Sequence, residues 1–100
     1  MKTLGIFVGS DRFPEYFRNL AAAAGEKGLN VRLHFFGSGV RLVPGTAFDK
    51  LPESLRVTIC LESAVKMLPD AGPGTVWHAW LVPPEHMTRI IQDCDRHLFI

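Results

Sequence analysis

The chain reads as an α/β protein, a three-layer α/β/α sandwich around a mainly parallel sheet of about five strands. Three observations predict this. Strand-like runs rich in branched and aromatic residues alternate with helical apolar stripes along the whole length. Glycine and proline clusters punctuate the changes of rhythm. No internal repeat, low-complexity tract or linker interrupts the alternation, so residues 1–100 read as a single domain.

The elements follow in order. Thr3-Leu4-Gly5-Ile6-Phe7-Val8 is mostly apolar without clean alternation, as in a strand covered on both faces. Gly9-Ser10-Asp11 supplies a turn and a helix cap, and Pro14 suits a first helical turn. Phe13, Phe17, Leu20 and Ala24 form one helical stripe, which Gly28 stops. A second strand spans Leu29 to Phe36, with Val31, Leu33 and Phe35 on one face and Arg32 and His34 on the other. Gly37-Ser38-Gly39 ends it. From Val40 to Leu55, Pro44-Gly45 and Leu51-Pro52 break the chain into a crossover with a helical turn or two.

Strand three runs from Leu55 to Ile59, and the next helix carries Leu61, Ala64, Val65 and Leu68 as its stripe. Pro69 to Gly74 is a breaker cluster, and Thr75 to Leu81 reads as strand four. Pro83-Pro84 opens a helix with a stripe of Met87, Ile90, Ile91 and Cys94, and His97 to Ile100 closes as a short strand. Right-handed crossovers then place helices on both faces of the sheet.

Composition excludes several classes. Apolar residues make up 47% of the chain, which argues against intrinsic disorder. A formal net charge of +1 predicts neither a nucleic-acid nor a membrane-surface partner. No apolar run approaches the roughly 20 residues that span a bilayer. The run after Lys2 is too short for a signal peptide, with charge following at Asp11 and Arg12, so it reads as a strand. Two cysteines form no disulfide framework, so a reducing cytoplasm is the expected location.

The stretch Arg56-Val57-Thr58-Ile59-Cys60-Leu61-Glu62-Ser63-Ala64-Val65-Lys66-Met67-Leu68 changes from strand to helix at a cysteine. Ligands of open parallel sheets collect at the carboxyl ends of strands. Helix N-termini favour the thiolate, which is the reactive form. Cys60 is therefore the candidate catalytic residue. Glu62 opposes a thiolate there, and Arg41, Arg56 or His34 could offset it. The competing reading is that Cys60 packs as a small hydrophobe. Ser63 completes a C-x-x-S spacing, a weak pattern outside a thioredoxin-like context. Cys94 falls on an apolar stripe, where burial is the simpler account, and a Cys60–Cys94 disulfide turns on their separation.

Other constellations are weaker. His34, His78, His86 and His97 lie on different elements without metal-ligand spacing, so no metal is expected. Gly9-Ser10-Asp11 and Gly37-Ser38-Gly39 match neither phosphate-binding fingerprint, and no G-x-S-x-G elbow is present. Trp77 and Trp80 would point to opposite faces of a strand, so at least one is expected to be partly exposed, as at an interface, with ordinary core packing the equal alternative.

Four segments, in order, resemble the DsrE/DsrF-like proteins, small sulfur-relay proteins that include the bacterial Tus subunits. Ala24-Gly25-Glu26-Lys27-Gly28-Leu29-Asn30-Val31 is similar to the family's A-x-x-x-G-x-x-V run into strand two. Phe35-Phe36-Gly37-Ser38-Gly39-Val40-Arg41-Leu42 resembles its F-x-G-x-G-V-x-L segment. Val57-Thr58-Ile59-Cys60, with Ser63-Ala64 following, resembles the site of the sulfur-accepting cysteine. Cys94-Asp95-Arg96-His97-Leu98-Phe99 resembles the terminal A-D-R-V-L-x-F. The Trp77-His78-Ala79-Trp80 stretch and the segment from Pro44 to Ser54 have no family counterpart.

The resemblance implies a persulfide carried on Cys60, sulfur donor and acceptor proteins as partners, no metal or organic cofactor, and homo-oligomers, either trimers or hexamers. Members without the cysteine exist. A non-catalytic subunit that acts by assembly or partner binding is therefore the alternative, and a small nucleotide-binding module is a third reading.

Overall fold

A computed structural model of the chain describes residues 2–46, 51, 54–68 and 80–100. Five strands, β1 (Thr3–Val8), β2 (Asn30–Phe35), β3 (Leu55–Cys60), β4 (Leu81–Val82) and β5 (Arg96–Phe99), form one sheet in the order β4-β3-β2-β1-β5. Every pairing is parallel. Among the described residues three helices, α1 (Tyr16–Glu26), α2 (Leu61–Met67) and α3 (His86–Asp93), flank it, together with a 3-10 helix over Gly37–Leu42. The α/β fold with helices on both faces of a parallel sheet is as the sequence predicts.

Alternation sorts the residues between the two faces. Ile6 and Val8 of β1, Val31, Leu33 and Phe35 of β2 and Ile59 of β3 pack with Phe17, Ala21 and Ala24 of α1 and Ala64 of α2 in one apolar cluster. Phe17 meets Phe35 edge-on at 5.2 Å between centroids. The intervening residues Gly5, Phe7, His34 and Thr58 face the layer of α3. There Ile90 is buried, and Cys94, next after α3, lies directly against Gly5. Phe7 stacks on Phe99 at 4.9 Å. Because β1 is covered on both sides, Ile6, Phe7 and Val8 are all buried, which explains their unbroken apolar run.

Helix α1 stops as Gly28 predicts. That residue takes φ +78°, and Leu29 N–H returns to the Ala24 carbonyl at 3.1 Å. The start of α1 differs from the prediction. Glu15 is the N-cap, without a side-chain cap. Asp11 instead faces Arg41 at 3.7 Å, and Ser10 Oγ accepts from Arg12 N–H. Phe13 precedes the helix and is exposed, and Ala21 takes its expected place in the buried stripe.

Helix α2 is also rotated from its predicted stripe. Ala64 is buried and Met67 and Leu68 pack on the core, while Leu61 and Val65 are exposed. A helix of seven residues has room for one inward turn, and the 3-10 helix beside it sets which turn that is. Of the predicted strand four the described residues include Leu81, in a strand over Leu81–Val82, and Trp80, packed on the core just before it. Pro69 to Ala79, including Trp77 and His78, lie outside the described residues. Strand β5 is an exposed edge.

The turn after β2 depends on two glycines. Gly37 takes φ +54°, which a side chain resists. A Cβ on Gly39 would drive into the Val8 carbonyl. Replacing Gly39 by Ala therefore forces β1 and the 3-10 helix apart. Urea unfolding of Gly39→Ala should show a loss of about 3 kcal/mol, the upper end for overpacking.

Candidate functional site

The connection after β3 leads into α2, whose Ala64 joins the α1 layer, whereas the connection after β4 leads into α3 on the opposite face. The carboxyl ends of β3 and β4 thus diverge, and such a divergence opens the crevice where open α/β sheets hold ligands. Cys60 ends β3 at that place, and Val82 of β4 is its register partner. The extended backbone of Cys60, φ −64° and ψ 118°, makes it the N-cap of α2, with no hydrogen bond from its side chain. Cys60 is where strand-end chemistry is expected. It is also 6% exposed.

The charged neighbours expected to tune the thiol either have other partners or lie away from it. Glu62 pairs with Lys66 at 3.4 Å, one turn along the exposed face of α2. Arg41 pairs with Asp11. Arg56 is four residues up the same strand, about 13 Å away by strand rise. Ser63 Oγ accepts the Gly37 N–H at 2.8 Å, so the C-x-x-S serine ties α2 to the turn after β2.

The two cysteines are not bridged. Cys94 lies against Gly5, which is in register with Arg32, and Arg32 with Arg56. Two strand spacings and four residues of rise separate this level from Cys60, about 16 Å in all and beyond disulfide reach. Burial pushes the Cys94 thiol up from its ordinary value; Arg32 opposes this, and Asp93 and Asp95 add to it.

His34, placed by alternation on the face of β2 opposite Leu33 and Phe35 and named as a group that could offset Glu62, is 1% exposed beneath the α3 layer, a burial the sequence left open. Nδ1 shares a 2.8 Å hydrogen bond with Thr58 Oγ1, and the ring lies between Phe7 and Phe36, each 6.1 Å away between centroids. Nε2 is buried without a hydrogen-bond partner. Desolvation above all, with the charges of His86 and Arg32, lowers the pKa to about 4. Protonation would also place an N–H at Nε2 with no acceptor. His34 is therefore a neutral ring, two residues' rise from the level of Cys60 and hydrogen-bonded to Thr58. The signal for it was available in the fold class, since a helix layer on each face leaves no outward face on an inner strand.

Among the described residues, no group of three His, Cys, Asp or Glu side chains is placed to hold a metal ion. No described helix is long and apolar enough to cross a membrane. A scan of family models finds no match to the chain, and a search of the curated proteins finds none. Fold and site together define an open parallel α/β protein with a cysteine at its topological switch point.

His34 makes stability depend on pH. Its folded pKa is below the unfolded value of 6.5, so its contribution is complete above pH 6.5 and declines as pH falls toward about 4. At about 1.4 kcal/mol per pKa unit, roughly 3 kcal/mol is lost across that window. Urea unfolding between pH 7 and pH 4, at about half-unit steps, should show this slope in the native chain and not in His34→Phe.

Proposed function

We propose that this chain is a small cytoplasmic sulfur carrier that accepts and passes on sulfur as a persulfide on Cys60. The observation that carries the reading is the position of Cys60 at the carboxyl end of β3, where the connections from β3 and β4 part to opposite faces. The resemblance of four ordered segments to the DsrE/DsrF-like proteins supports the chemistry, and a five-stranded parallel sheet is consistent with it.

In the proposed step the Cys60 thiolate attacks the outer sulfur of a donor persulfide. The donor S–S bond breaks, the donor leaves as a thiolate, and a new S–S bond forms on Cys60. An acceptor thiolate repeats the displacement on Cys60, so no net oxidation occurs and no metal or organic cofactor takes part. At 6% exposure, Cys60 reacts only when the strand end opens locally, which makes access the rate-setting term. Leu61 and Val65, exposed on α2 beside the site, offer an apolar footing for donor and acceptor proteins. The reading includes a homo-oligomer, either trimer or hexamer.

The second reading is a non-catalytic subunit of the same fold that acts by assembly or partner binding. The low exposure of Cys60 and the exposed Leu98 and Phe99 on edge strand β5 favour it.

Intact mass after incubation of the reduced protein with a persulfide donor separates the two. The carrier gains one sulfur atom, Cys94→Ser keeps that gain and Cys60→Ser loses it. No gain in the folded native chain, with the donor active on a control thiol, leaves the assembly reading in its place.

A further inference from the structure

At the opposite edge of the sheet from Cys60, the amino ends of β2 and β3 border a cleft of about 240 Å³ with Asn30, Arg32, Ser54, Arg56 and Asp93 in its wall. Arg32 and Arg56 are register partners on adjacent parallel strands, so both side chains emerge on the α3 face. Like charges placed side by side on a sheet repel. The cleft therefore holds two guanidinium groups against that repulsion.

The described residues supply little to balance them. Arg32 has one ionic neighbour, Asp93 Oδ2 at 3.8 Å, which is longer than a charge-assisted hydrogen bond of about 2.8 Å. Arg32 is also largely withdrawn from water, with 23% of its side chain exposed. The Arg56 side chain makes no ion pair or hydrogen bond with any described residue. The other nearby acid, Asp95, accepts the Thr3 N–H at 2.8 Å on the β1 side of the cleft. Among the described residues, two guanidinium groups thus face one loosely held carboxylate, an excess of one positive charge in the cleft wall.

Two neutral residues complete the wall, Ser54 and Asn30. Ser54 Oγ gives its proton to the Leu29 carbonyl at 3.2 Å, so it fixes the rim and leaves anion binding to the arginines. Asn30 is held by its backbone N–H on the Lys2 carbonyl at 3.0 Å. A guanidinium fork can bind two oxygens of a tetrahedral oxyanion at once, and the register brings two such groups to neighbouring positions. The volume exceeds what a bare phosphate group needs, so a phosphoryl group can enter with its ester substituent.

We propose that this cleft is a binding site for a phosphate-class oxyanion, held between Arg32 and Arg56. Asp93 is the anion's competitor: it engages Arg32 while the cleft is empty and is displaced as the anion binds. The site lies about 13 Å along β3 from Cys60 and stands whether or not that cysteine carries sulfur.

The test is an amide-resolved NMR titration of the full chain with inorganic phosphate, at constant ionic strength maintained with chloride. Saturable shifts at Asn30, Arg32, Ser54 and Arg56 are expected. Arg56→Gln, at an exposed strand start, should weaken binding about tenfold, the loss of one charged hydrogen-bonding group. Asp93→Asn should tighten it several-fold, an effect that a purely structural Asp93 would not produce. Glycerol phosphate as a second probe identifies the source: tighter binding than inorganic phosphate assigns an esterified phosphoryl group, and weaker binding assigns the free ion. Shifts that rise linearly without saturation, or saturable shifts that are the same in Arg56→Gln and Asp93→Asn as in the native chain, overturn the proposal.

Discussion

The seating of the 3-10 helix on the end of β1 is the contact on which the remaining architecture rests. Phe36 N–H bonds to the Val8 carbonyl at 3.0 Å, and Gly39 lies so close to that carbonyl that only hydrogen fits between them. From the same turn, Gly37 N–H reaches Ser63 on α2 at 2.8 Å. One short segment thus joins the carboxyl ends of β1, β2 and β3. The direction in which α2 leaves β3 follows from it, and so does the position of Cys60 at the mouth of the crevice.

The two faces of the sheet differ in chemistry. The α1 and α2 face is an apolar cluster whose members need only match in volume. The α3 face carries His34, Thr58, Arg32 and Arg56 along its strands, with a polar cleft at its amino edge. Polar groups beneath a helix layer cost free energy unless they are paired or functional. His34 is half-satisfied through Thr58, and Arg32 has one 3.8 Å ionic contact with Asp93 among the described residues. This face therefore holds most of what packing alone does not explain.

Much of this was legible in the residues. The strand and helix order, the stop at Gly28 and the division of β2 into two faces follow from periodicity and turn chemistry, which are local. Cys60 was legible as a strand-end residue for the same reason. Its burial was not, because burial depends on how α2 rotates, and the stripe of Leu61 and Val65 pointed to the wrong side. Phe13 misled likewise: helical spacing continued through it, but Pro14 and the Glu15 N-cap start the helix later. The pairing of Arg32 with Arg56 is a matter of register between strands more than twenty residues apart, and no local pattern encodes register.

The position of β5 bears on how the chain is made. Its four residues pair with β1, joining the first and last strands of the sheet across almost the whole sequence. During synthesis β1 can pair with β2 early, but its other side stays an unpaired edge until residues 96–99 leave the ribosome. Phe7 lacks its stacking partner Phe99 for all that time. Completion of the sheet is thus a late, non-local event with a high entropic cost of closure. A nascent chain stalled short of β5 would expose its most apolar strand to its neighbours on the same message.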